Sequence, residues 1–140
     1  MKVGYSKSAA ATPAFALIAE GWNELVQEGM TPDLRGDSPV AWTQQVLFYA
    51  REDEIVGVLC FSHDDVCNAY VLSLAYVEPT SRRQGVFRVL WQELVKRASE
   101  AGVSRVMANI HESNNVAMAA MYTGAGATLV SRTYELLTGA

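Results

Sequence analysis

The stretch that most constrains this chain runs from Val77 to Ala101. An apolar run, 71–77, ends at Glu78-Pro79, where Pro79 lacks an N–H and stops regular strand pairing. A polar, arginine-rich turn leads to Gly85. From Val86 the apolar spacing becomes that of a helix, with Val86, Val89, Leu90, Leu94, Val95 and Ala98 along one side. A tight turn that feeds a helix leaves several backbone N–H groups unpaired and pointing outward. That geometry suits an anion, and a phosphate in particular. Gly85 has no side chain to hold a ligand away from its backbone.

The remaining 140-residue sequence sets the limits around this unit. Its length fits one domain, residues 1–140, with one sizeable core. Half of the residues are hydrophobic, which argues against disorder. No apolar run is long enough to cross a bilayer, so no membrane partner is expected. No secretory apolar core follows the first residues, so the expected location is cytoplasmic. Eleven Lys plus Arg face 15 Asp plus Glu, a balance that disfavours nucleic acid as a partner. Cys60 and Cys67, with His63 and His111, lack metal-ligand spacing, so no metal is expected. Cys60 reads as a small core residue inside an apolar strand.

In chain order, residues 2–5 read as a short edge strand. Pro13 then opens a helix to about Glu28, with Thr12 as its cap and Gly21 interrupting its middle. Residues 29–40, with Pro32, Gly36 and Pro39, read as a loop. Strands follow at 45–50, 55–61 and 69–77, joined by the polar turns 51–54 and 62–68, which makes them antiparallel neighbours. The helix from Val86 stops at Gly102, with Glu93 and Arg97 spaced as an i,i+4 pair. Strand 103–111 completes a strand–helix–strand crossover, so it should lie parallel to strand 69–77. Glu112 to Asn115 then caps a short helix, 116–123, and a final strand region, 127–137, closes the chain.

Two segments resemble the GCN5-related N-acetyltransferases. Arg82-Arg83-Gln84-Gly85-Val86-Phe87 is similar to the family's acetyl-CoA motif, with Arg82 and Gly85 in place and Phe87 where a small residue is usual. Asn115, Tyr122 and Gly126 match the later motif, in which an Asn precedes a short helix and a Tyr ends its apolar side; Ala127 replaces the usual aromatic. The resemblance covers about residues 45 to 137. It implies an α/β (α+β) fold: a mixed sheet, mostly antiparallel, with a central splayed parallel pair and flanking helices.

It also implies an activity, N-acyl transfer from acetyl-CoA to an amine by direct attack in a ternary complex. The pyrophosphate would rest on the backbone of Arg82, Arg83, Gln84, Gly85, Val86, Phe87 and Arg88, with the arginines adding charge. The pantetheine arm would insert beside Ala75, Tyr76 and Val77, with Asn115 at the same opening. Tyr122 would donate a proton or a hydrogen bond to the leaving sulfur; His111 or Glu78, or else Asp64, Asp65 or an ordered water, would take the amine's proton. The acceptor, a small-molecule or peptide amine, would enter near Trp22, Trp42 and Tyr49, with Asp33 and Asp37 at the rim. The alternative is an acyl-CoA-binding module without turnover, favoured by Phe87 and Ala127. An uncompleted last strand would leave an open edge for a partner copy, hence a homodimer.

Overall fold

The computed structural model describes residues 2–29, 43–110, 114–121, 125–129, 134, 136, 138 and 139. Most of the 29–40 loop, with Asp33 and Asp37, lies outside these residues, as do Trp42, His111, Tyr122 and most of the expected final strand. The described part of that strand, 127–129 with 134 and 136, carries no strand pairing.

Among the described residues five strands form one sheet in chain order: β1 Lys2–Ser6, β2 Gln45–Arg51, β3 Glu54–Asp64, β4 Ala69–Val77 and β5 Arg105–Ala108. The first four are antiparallel neighbours and β4 pairs β5 in parallel, as the crossover requires. Helix α1 (Phe15–Gln27) covers one face, α2 (Val86–Glu100) the other, and a short α3 (Asn115–Ala119) follows β5. Asn114, not Asn115, is the cap of α3, accepting from the Ala117 N–H at 3.1 Å. No helix of the described residues is long and apolar enough to cross a membrane.

Side-chain alternation builds two cores, one on each face. Leu47, Leu59, Phe61, Tyr70 and Leu72 meet Val86, Leu90, Leu94 and Ala98 of α2. Val46, Val58, Cys60, Leu74 and Tyr76 meet Ala14, Leu17 and Ile18 on the α1 side. Both helices come close because glycines face them. A Cβ on Gly57 would lie 2.5 Å from Val86 Cγ1, and one on Gly21 would lie 2.6 Å from the Tyr76 ring. Gly21 therefore does not interrupt α1; it lets the helix sit against β4.

The helix starts and stops differ in how far they follow the sequence. Gly102, at φ 72°, ends α2 with paired bonds from its own N–H to Ser99 and from Val103 to Ala98, as expected for a glycine just past the cap. At α1 the expected cap is corrected. Pro13 and Ala14 form a turn, Thr12 Oγ1 accepts from the Ala14 N–H at 3.3 Å, and the helix begins at Phe15. The reason is packing: Ala14 is wholly buried, so the chain must turn inward before the helix starts.

Candidate acyl-CoA site

The site begins with one irregularity in β4. Cys60 pairs with Leu74 but Phe61 pairs with Leu72, so Ser73 is an extra residue, a β-bulge. An extra residue reverses the alternation beyond it. Tyr70 and Leu72 therefore pack under α2, while Leu74 and Tyr76 pack under α1. The Ser73 hydroxyl fixes the bulge through Gln44 Oε1 and lies 3.3 Å from the Cys60 carbonyl.

The parallel ladder stops at the same place. It runs from Ala69 opposite Arg105 to Leu72 opposite Ala108, and β5 ends there. Residues 74–77 keep β3 on one side and have no strand partner on the other among the described residues. Glu78 donates its N–H to the Val56 carbonyl at 2.8 Å. Backbone groups alternate sides along a strand, so Leu74 and Tyr76 also turn theirs toward β3. Ala75 and Val77 turn theirs into the gap. The side chain of Ala75 is exposed there, whereas Tyr76 is buried. Of the three residues expected along the arm, Ala75 and Val77 thus face the opening and Tyr76 does not.

At the end of β4 the chain makes a 3-10 turn, Pro79–Ser81, and reaches α2 through Arg83 at φ 64° and Gly85 at φ 83°. Gly85 caps α2 without a side-chain bond, and no acidic residue stands in the first turn. The N–H groups of Val86, Phe87 and Arg88 thus open the helix beside an exposed Arg83 and Arg88. The Gln84 side chain is committed elsewhere: its Oε1 accepts from Arg51 and its Nε2 donates to the Thr80 carbonyl at 3.3 Å. The Phe87 ring stacks on Trp91 one turn along, with centroids 6.0 Å apart, half-buried against the α2 core. The ring thus packs along the helix, on Trp91.

Arg82 turns back from the helix start. Its Nε donates to the Val77 carbonyl at 2.8 Å, its Nη2 lies 3.4 Å from Glu24, and its guanidinium stands 5.3 Å from the Tyr76 ring centroid. Tyr76 donates its hydroxyl to Glu24 Oε2 at 2.7 Å and lies 3.3 Å from Glu20 Oε1. Burial, then the Glu24 bond and charge, with Glu20 adding, hold the Tyr76 phenol well above its ordinary range, and Arg82 opposes them. Sequence reasoning missed Glu24. The only signal was a carboxylate on the polar side of α1, and its partner lies 58 residues away.

Glu78 sits half-buried at the end of β4, its carboxylate taking the Thr80 hydroxyl. Trp22 and Tyr49 are buried. Cys60 is core, its thiol pushed up to about 12 by burial, and no group of three metal-ligating side chains occurs among the described residues.

Comparisons with known proteins agree with the fold. The model of the acetyltransferase (GNAT) family matches residues 13–127. No curated protein gives a significant match. Solved structures of similar fold include a mutant of the BH1408 protein from Bacillus halodurans, at TM-score 0.72 and 16% identity, covering 98% of this chain and 99% of that one. The ribosomal-protein-alanine N-acetyltransferase from Brucella melitensis biovar Abortus 2308 has TM-score 0.68 and 15% identity, covering 97% and 98%. N-acetylglutamate synthase from Neisseria gonorrhoeae, complexed with coenzyme A and N-acetyl-glutamate, has TM-score 0.59 and 13% identity. That match covers 84% of this chain, which spans only 27% of the synthase chain.

Proposed function

The chain belongs to the acetyltransferase (GNAT) family, and on that premise we propose that it transfers an acetyl group from acetyl-CoA to a primary amine by direct attack in a ternary complex. The observation that carries this reading is a coincidence in space. The β4–β5 ladder ends at Leu72 and Ala108, and the strand with the free edge leads through Pro79–Ser81 into an uncapped helix start. A slot for an extended arm and a seat for its phosphates thus adjoin.

In this reading the pyrophosphate takes the N–H groups at the start of α2, with Arg83 and Arg88 adding charge. The arm runs along Ala75 and Val77 and bonds to the outward Ala75 groups and the Val77 N–H, the Val77 carbonyl being held by Arg82. An outward N–H near the thioester stabilises the oxyanion as the neutral amine attacks the carbonyl carbon. The C–S bond then breaks, the electron pair leaves on sulfur, and Tyr122 gives the thiolate a proton. The ammonium proton leaves to Glu78 or to His111, and the former stands at the end of the strand that carries the thioester. Asn115 assists the arm. The acceptor is a small-molecule or peptide amine; the proteins of similar fold include an N-acetylglutamate synthase and a ribosomal-protein-alanine N-acetyltransferase.

The test is calorimetry with acetyl-CoA, followed by a panel of amines read by free-thiol release. The expected result is binding and thiol release with at least one primary amine. Binding without release across amino acids, amino sugars and peptide N-termini would contradict transfer. Tyr122→Phe is expected to lower turnover far more than binding.

A further inference from the structure

Arg82 opens the motif whose backbone is assigned to the pyrophosphate, yet its side chain is occupied on the other side of the turn. Nε and Nη2 form one edge of the planar guanidinium fork, and that edge is filled by the Val77 carbonyl at 2.8 Å and the Glu24 carboxylate at 3.4 Å. The guanidinium carbon stands over the Tyr76 ring, 5.3 Å from its centroid. Glu24 is itself held by the Tyr76 hydroxyl at 2.7 Å, so the anchor is fixed to the sheet.

The contact with Val77 matters because of where it falls. Beyond Leu72, β4 has lost β5 as a neighbour, and an edge peptide with one free side is able to tilt. The peptide between Val77 and Glu78 is held at both ends: its N–H bonds to Val56 at 2.8 Å and its carbonyl takes Arg82. Fixing that peptide also fixes the aim of the Val77 N–H just before it, which faces the gap. We propose that Arg82 is a positioning residue: it sets the end of β4 against α1 and aims the Val77 backbone at the acyl arm, while the phosphates are held by the turn backbone, Arg83 and Arg88. This inference rests on the acetyltransferase reading and deepens it.

Truncating the ligand separates the two roles. Coenzyme A carries the pyrophosphate and the arm; pantetheine carries the arm alone. Affinity for coenzyme A is measured by calorimetry, and that for pantetheine by displacement, in the wild type, Arg82→Ala, Arg82→Lys and Arg83→Ala. The expected result for Arg82→Ala is an equal loss for both ligands, about 3- to 10-fold, the size of one net hydrogen bond. Arg83→Ala is expected to weaken coenzyme A alone. Arg82→Lys keeps the charge without the fork, so it is expected to share the loss of Arg82→Ala, whereas a phosphate ligand would largely survive that change. It also serves if the alanine variant does not fold. A loss confined to coenzyme A in Arg82→Ala, or no loss for either ligand, overturns the inference. Failure of the wild type to bind coenzyme A would instead overturn the acetyltransferase reading itself.

Discussion

Residues 69–72 and residues 74–77 of β4 are built from the same kinds of apolar and small residues, yet they serve opposite ends. The first half is paired on both sides and buries Tyr70 and Leu72 under α2. The second half keeps one strand partner among the described residues, buries Leu74 and Tyr76 under α1, and turns the backbones of Ala75 and Val77 away from β3. Ser73 alone separates them. A single inserted residue thus lies where the strand loses its parallel neighbour, and neither core is broken, because each half finds a helix to cover it.

The comparison is broken most severely at the two leucines that flank Ser73: Leu72→Ala and Leu74→Ala are each expected to cost about 2–5 kcal/mol in urea unfolding. They should differ in their coupling. Leu72 shares a core with Leu90 and Leu74 does not, so a double-mutant cycle with Leu90→Ala should be non-additive only for Leu72.

A smaller effect is expected for Tyr76→Phe, about 1 kcal/mol at neutral pH for the lost hydroxyl bond to Glu24. The sign of its pH dependence follows from the raised phenol. A group whose value is higher in the fold contributes fully below its unfolded value, here 10.0, and loses that contribution as pH rises toward the folded value. The wild type should therefore lose stability above about pH 10 more steeply than Tyr76→Phe, as thermal melts would record. The smallest perturbation is a probe of the bulge itself. Cys60 lies opposite Leu74, buried and with its thiol pushed up to about 12. Iodoacetamide at pH 8 should label the half-buried Cys67 and spare Cys60; equal labelling would mean that the bulge opens readily.

Much of the frame was legible in the residues. The bounds of β4, the helix opening at Val86 and its stop at Gly102 follow from a proline, a change of period and a left-handed glycine. The bulge was not, because Val71-Leu72-Ser73-Leu74-Ala75 reads as ordinary strand, and only packing against two different helices shows the reversal. The direction of Arg82 was hidden for a related reason. Its motif position points to the phosphates, while its partners lie on β4 and on a helix far away in sequence. The start of α1 shifted from Pro13 to Phe15 because burial of Ala14 outweighed local capping preference.

The most direct test of the central claim is amide hydrogen exchange across residues 74–77, followed by NMR with and without coenzyme A. Slow exchange is expected at Leu74 and Tyr76 in both conditions. Ala75 and Val77 should exchange fast alone and slow markedly when coenzyme A is added. Four equally protected amides, or an Ala75 and a Val77 that coenzyme A leaves unchanged, would contradict a ligand edge on β4.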